Sequence, residues 1–479
     1  MSRGVLLANF VAMVLLSLVA AGLVLFPAQG PQPPAPLVAG LDPSSVTALR
    51  VERTTDTGAR AVERVERTPT GVWDCVWTPG HSGSDDARWP VADVRVRSGL
   101  RMIADATLTT NAPTTIDASP ATLEIATQGE QPTRLTFGAA SAAGRAPVRV
   151  EAPDADARTG LTTDALHAVF ARTGLLAWRD DRAMPGVARD ASNLEITVST
   201  GGQSLRLELA RVQGRWGLLD PVAERAESQA VQSSIEALGR LRVLSFRDDA
   251  EAAALGLESP RVTLAVSGGR GPDAYQWRID VGSPASADAN QVFVRLTGQR
   301  GDGPADARTL GPVYGVLALD GLSGVFMNAE AYLARTTLAT TTADIRRFVI
   351  RSADGQRAWR YERTIDGWTV QSSGAASPRP ATSVEAQAIP VVLQTLAEQR
   401  ATAVALTDQP AFEPIASLEI EGAAGLVAES VMIGRAPAPR TSGDPNQPSG
   451  QVLTTRSESA SRFYGPMPEA FQALLPTLP

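Results

Sequence analysis

A register that recurs three times constrains this chain more than any other feature. A glycine–tryptophan landmark stands at Gly71-Val72-Trp73, Gly214-Arg215-Trp216 and Asp366-Gly367-Trp368. Counting on from the three tryptophans, Pro120, Pro260 and Pro414 lie 47, 44 and 46 residues away, each ahead of an alternating strand. Gly138, Gly282 and Gly434, each closing a strand, lie 65, 66 and 66 residues away. So small a drift over so long an interval marks internal repetition, and whatever fold the chain adopts must be built three times.

The pattern around the landmarks predicts the elements. Paired alternating stretches precede each landmark: 46–53 with 59–68, 194–200 with 205–212, and 345–352 with 358–364. In the second copy Leu194, Ile196 and Val198 face Leu205, Leu207 and Leu209 across Gly201-Gly202, a hairpin signature. Each tryptophan opens a third strand, continued inward by Cys75 and Trp77, by Leu218, and by Val370. A helix follows, over about 91–105 in the first copy. The second is marked by Val231, Ile235, Leu238 and Leu241, the third by Val384, Ala388, Val391 and Leu396. After two further strands a short apolar segment, near 161–170, 321–327 and 467–475, predicts a closing helix. The expected class is α+β: three tandem modules of mainly antiparallel sheet with two helices each, over 44–175, 190–335 and 343–479.

Residues 4–26 carry no charge and, as a helix, would span about 30 Å of hydrocarbon. Only Arg3 and the amino terminus flank the run on one side, and the next basic residue beyond it is Arg50. The reading is a transmembrane anchor over 1–27 in the cytoplasmic (inner) membrane, N-terminus inside and the remainder extracytoplasmic. A proline-rich stretch at 28–43 reads as a stiff polyproline spacer.

Composition narrows the chemistry. All 44 basic residues are arginine, so a phosphate-loop lysine, a Schiff-base lysine and a Ser-Lys dyad are excluded. These arginines are scattered among Asp and Glu and form no basic stripe, which argues against nucleic-acid binding. The single cysteine, Cys75, rules out an internal disulfide and any multi-cysteine metal site.

The second copy resembles an uncharacterised domain-of-unknown-function family of single-pass bacterial envelope proteins. The likeness is carried by Gly214-Arg215-Trp216 with Asp220-Pro221, Leu238-Gly239-Arg240-Leu241, Leu255-Gly256-Leu257-Glu258-Ser259-Pro260, Ile279-Asp280-Val281-Gly282 and Val292-Phe293-Val294-Arg295. The third copy keeps Gln409-Pro410-Ala411-Phe412-Glu413-Pro414 in place of the Leu-Gly-Leu element, and the first matches least. The resemblance implies association with ABC-transporter permeases and gliding-motility-type auxiliary subunits. It implies no catalytic residues.

Individual candidates favour structural roles. His81, in Gly80-His81-Ser82-Gly83 with Asp85-Asp86 after it, lacks a second nitrogen ligand nearby and reads as a solvated loop. His167 reads as a surface or boundary residue of a short helix, and Cys75 as buried packing. The repeated Arg-Val-Glu-Arg at 50–53 and 64–67, echoed by Arg360-Tyr361-Glu362-Arg363, suggests cross-strand ion pairing over an anion site. Asp180-Asp181 and Asp248-Asp249 lack calcium-loop spacing, and Gly268-Gly269-Arg270-Gly271 reads as a hairpin turn and not a phosphate cradle. No catalytic, cofactor-binding or metal-binding residue is assigned. The expected function is a membrane-anchored extracytoplasmic interaction or scaffold protein, accessory to an ABC-type transporter or other envelope machinery. The alternative is an envelope ligand-binding protein or hydrolase using carboxylates in an inter-module cleft.

Overall fold

Period-two alternation gives each long strand one apolar face, and three large antiparallel sheets bury those faces. The computed structural model describes residues 35–54, 58–78, 86–110, 116, 121–139, 144–153, 155–187, 190–248, 250–286, 290–301, 307–406, 412–421, 427–436 and 452–474, and divides after Asp180 into two compact units.

Two expectations are corrected. Among the described residues 49% are strand and 19% helix, arranged in four sheets, so the chain is dominated by antiparallel sheet and is not a set of α+β modules with two helices each. Two of the closing segments account for much of the difference, while the third forms the expected helix, Glu469–Leu474. The stretch at 321–327 forms no α-helix and is flanked by short 3-10 turns, Leu319–Leu322 and Glu330–Tyr332. A Cβ on Gly321 or Gly324 would lie within 2.8 Å or 2.7 Å of Leu241 or Ala237, so its apolar residues serve close docking onto the helix Ser228–Arg240. At 161–170 a strand, Arg158–Thr163, gives way to Asp164–His167 and a π-helical turn, Ala168–Thr173. The second correction concerns the transmembrane helix. Residues 4–26 lie outside the described residues, and among those described no helix is long and apolar enough to cross a membrane. The longest helix among the described residues, Ser383–Glu398, has 16 residues. The membrane, single-pass assignment is dropped.

In the second unit one nine-stranded order is built twice. From a central strand (Ala191–Thr200; Arg347–Ser352) a meander runs to one edge, ending at Glu224–Arg225 or Arg379–Pro380. A helix (Ser228–Arg240; Ser383–Glu398) leads to a short strand on the opposite edge (Val243–Phe246; Ala403–Leu406). A second meander then starts beside the central strand, at Val262–Gly268 or Glu413–Glu421, and returns to that edge. The first unit follows the same course in eight strands, with Val46–Thr54 and Ala121–Thr127 at the centre. Its ninth position shrinks to a bridge between Thr109 and Leu161, while Thr107–Leu108 pairs with Ala35–Pro36.

The centre of each sheet is the same contact. Val51 lies opposite Leu123, Ile196 opposite Leu264, and Ile350 opposite Leu418, and all six are buried. Onto this face pack Val96, Leu100 and Ile103 of the helix Asp93–Ala104, Val231, Ile235 and Leu238 of the second helix, and Ile389, Val392, Leu393 and Leu396 of the third. Val384 and Val391, expected on the third helix's buried face, are instead exposed. The repeated glycines have a steric cause: a Cβ on Gly282 or Gly434 would sit 2.4 or 2.3 Å from the carbonyl oxygen of Leu255 or Glu413.

The helix Ser383–Glu398 begins with a capping box in which the Thr382 hydroxyl accepts from the Glu385 N–H and Glu385 accepts from the Thr382 N–H. Arg379 donates to both carboxylate oxygens at 2.8 Å and, with the Thr382 donors, holds the Glu385 pKa down to about 2 against burial. A carboxylate depressed in the folded state stabilises fully above its unfolded value of 4.5 and loses that contribution as pH falls toward 2. Glu385→Gln is expected to cost ~2 kcal/mol at pH 7, as for hydrogen bonds to a charged group. In urea titrations at stepped pH the gap from the parent chain closes between pH 4.5 and about 2.

Candidate functional site

The two modules of the second unit are joined by residues 333–341, and the polar groups of that connection build the site. The two-residue strand Glu224–Arg225 lies at the edge of the second sheet and places Arg225 against the connection and Glu224 against the third module. Arg225 donates to three successive carbonyls, from Nη2 to Thr336 (2.7 Å) and Thr337 (2.8 Å) and from Nη1 to Leu338 (3.2 Å). From the third module Arg462, 1% exposed, donates from Nε to the Ala334 carbonyl (2.7 Å), from Nη1 to Ser457 Oγ (3.0 Å) and from Nη2 to Glu224 (3.1 Å). Glu429 accepts from the backbone N–H groups of Ala339 (2.8 Å) and Thr340 (2.7 Å) and from the Thr340 hydroxyl. Arg400 and Glu227 add an ion pair at 3.0 Å.

The result is a clasp of two guanidiniums and two carboxylates around one stretch of backbone. Its local balance is neutral, which is how buried charge is tolerated. Burial pulls the Arg225 guanidinium below its ordinary range, and the nearby Arg462 pulls it further. Beside the clasp opens a cleft of about 600 Å³. Val212 and Leu219 line it, 52% and 42% exposed, together with Trp216 and Arg215. Arg215 has no carboxylate partner among the described residues.

Of the carboxylates in the cleft, Glu224 accepts from Arg462 and Ser457, and Glu429 from the Ala339–Thr340 backbone. The Arg-Val-Glu-Arg motifs form ion pairs on the solvated sheet faces, across strands as read from sequence for Arg50 with Glu124 (2.9 Å) and Arg360 with Glu421 (2.5 Å), but within one strand for Arg64 with Glu66 (3.1 Å). In the first unit these charges line a hollow of about 400 Å³ in which Glu52, Glu124 and Glu151 are each paired with arginine. Arg53 departs from that reading. With the buried Glu63 it lies on the inner face, where Glu63 also accepts from the N–H groups of Leu175 and Leu176 and so fixes the closing 3-10 turn.

The remaining candidates are placed singly. Cys75 is fully buried, its Sγ 3.9 Å from the Leu175 carbonyl. His81, Asp85 and Asp249 lie outside the described residues, and Asp86 accepts from the Thr78 hydroxyl. Asp180 is buried in the first unit; Asp181 of the second is ion-paired with Arg242. Gly268–Gly271 joins the strands Val262–Gly268 and Tyr275–Pro284 as a turn. His167 is buried, not at the surface. Asp280 and Arg295, in two of the stretches that carry the family resemblance, form a buried ion pair completed by Arg278 and Thr263. In comparisons with known proteins the chain matches no family model and no curated protein, so the resemblance stands on its motif residues alone.

Glu224, Arg225, Glu429 and Arg462 escaped sequence reading because they are spread over more than two hundred residues. The only local signal is an arginine inside the apolar strand Ala460–Pro466. Removing one member strands a buried charge, so Arg462→Met is expected to cost ~3–5 kcal/mol in urea denaturation of the full chain. Adding Glu224→Leu to it should recover most of that loss.

Proposed function

We propose that this chain is an interaction scaffold, accessory to envelope machinery, whose recognition element is the cleft beside the inter-module clasp. The observation that carries the reading is the pairing of two exposed apolar walls, Val212 and Leu219, with Arg215, an arginine that no carboxylate neutralises among the described residues. Monomeric surfaces ordinarily cover or dilute such a combination. A segment of a protein partner with an apolar side chain and an adjacent acidic group complements it. The clasp supports the reading by holding both sides of the cleft in one geometry, so little ordering remains to be done on binding. This function needs no membrane anchor. The family resemblance directs the choice of partner toward the permease or ATPase of an ABC-type transporter.

Leu219→Arg and Arg215→Glu change exposed positions and leave the clasp intact. Cross-linking followed by affinity purification of the full chain is expected to recover a transporter subunit, and each variant to reduce that recovery by at least tenfold. Equal recovery by parent and variants would sink the cleft as the recognition element. A chain that runs as a partnerless monomer in every preparation would sink the scaffold reading itself.

A further inference from the structure

His167 is buried, 5% exposed, at the end of the helical turn Asp164–His167 and directly ahead of the π-helical turn Ala168–Thr173. Neither ring nitrogen makes a hydrogen bond of ordinary geometry, the Gly138 backbone standing near the ring, and two further buried atoms close by in sequence, Thr162 Oγ1 and Asp164 Oδ1, also lack one. Native structures rarely leave buried polar atoms unpaired, and four within six residues is an under-bonded pocket that opening to water would satisfy. The charges around the ring are few. Asp164 Oδ1 stands 3.8 Å from Nδ1, while its other oxygen accepts from Arg172 Nη2 at 2.9 Å across the π-turn. The strand Thr133–Phe137 contributes the Phe137 ring, edge-on at 6.3 Å, and the backbone of Gly138. The neighbouring strand Arg145–Glu151 buries Ala146 and Val148, and its charges are engaged elsewhere, Arg145 with Thr109 and Arg149 with Glu151.

We propose that His167 is a proton-operated latch on the first unit: taking up a proton opens the segment Asp164–Thr173 to solvent. The neutral ring fits the pocket. An imidazolium there has the Gly138 backbone and one carboxylate within reach, and that carboxylate is already shared with Arg172, so full solvation of its charge requires water. A π-turn is a locally weak helix, held here by the Asp164–Arg172 pair that spans it. Burial, assisted by Arg172 and opposed by Asp164 and the Gly138 backbone, lowers the histidine below its ordinary 6.5. The sign follows: a base depressed in the closed state keeps the segment closed above 6.5, and that stability is lost as pH falls below it.

The chain has two histidines, so proton NMR of the full-length protein with His81→Gln leaves a single imidazole signal. The expected result is titration below 6.5, with amide exchange over 165–173, corrected for intrinsic rates, rising at least tenfold between pH 7.5 and pH 5. In His167→Gln that rise disappears, and in Arg172→Met, which frees Asp164 for the imidazolium, the titration moves up. An imidazole that titrates at or above 6.5, or a rise of equal size in His167→Gln, overturns the proposal; the first readout needs only the native residue at 167. An unmoved titration in Arg172→Met overturns the part assigned to Asp164.

Discussion

Everything in this structure hangs on one strand pair made three times. The first strand of each sheet lies antiparallel to the strand that opens the second meander, and the buried contacts Val51–Leu123, Ile196–Leu264 and Ile350–Leu418 join two otherwise local meanders into one sheet. Within a meander each strand finds its partner a few residues away, so closure costs little chain entropy. The central pair closes a loop that contains the whole helix and the far edge strand. It must therefore be repaid by burial, and apolar residues stand on both sides of it in all three sheets.

That topology also decides what each face does. With the helix crossing one side, the other side stays solvated and fills with arginine and glutamate facing each other across strands, as in Arg50–Glu124–Arg134. The tally of arginine is thereby largely absorbed by structure. Part of what is not absorbed lies at the connection between the second and third modules, where an edge strand of one sheet and inner strands of the next meet one irregular stretch of backbone. Irregular backbone in a buried position needs donors and acceptors from side chains, and Arg225, Arg462 and Glu429 supply them.

Much of this was legible beforehand. Alternation announced the strands, the Gly201-Gly202 turn announced a hairpin whose register pairs Ile196 with Leu207, and the tryptophans and glycines counted out the repeats. The third helix was legible as an element but not in its facing: Val384 and Val391 share the period of its buried residues and are nonetheless exposed. Of the closing segments the third forms its helix, Glu469–Leu474, and the one at 321–327 was misread for a related reason. This apolar run of seven residues has no preference strong enough to choose helix over docked coil, and the close approach of Gly324 to Ala237 of the second helix and of Gly321 to Leu241 just after it made the choice. The candidate site was not legible at all, apart from the unusual arginine in Ala460–Pro466.

The sequence by itself determined the local matters: which stretches alternate, where turns fall, that the unit repeats, and that lysine and multi-cysteine chemistry are closed to it. These depend on neighbours within a few residues, where side-chain period and backbone preference act directly. Only the tertiary structure decided that the strands join into one eight-stranded and two nine-stranded sheets, that Glu63 and Arg53 face inward, that His167 is buried, and that Glu224, Arg225, Glu429 and Arg462 meet. Those outcomes depend on contacts between residues far apart in the chain. A charge or an imidazole carries no local mark of whether a distant strand will cover it.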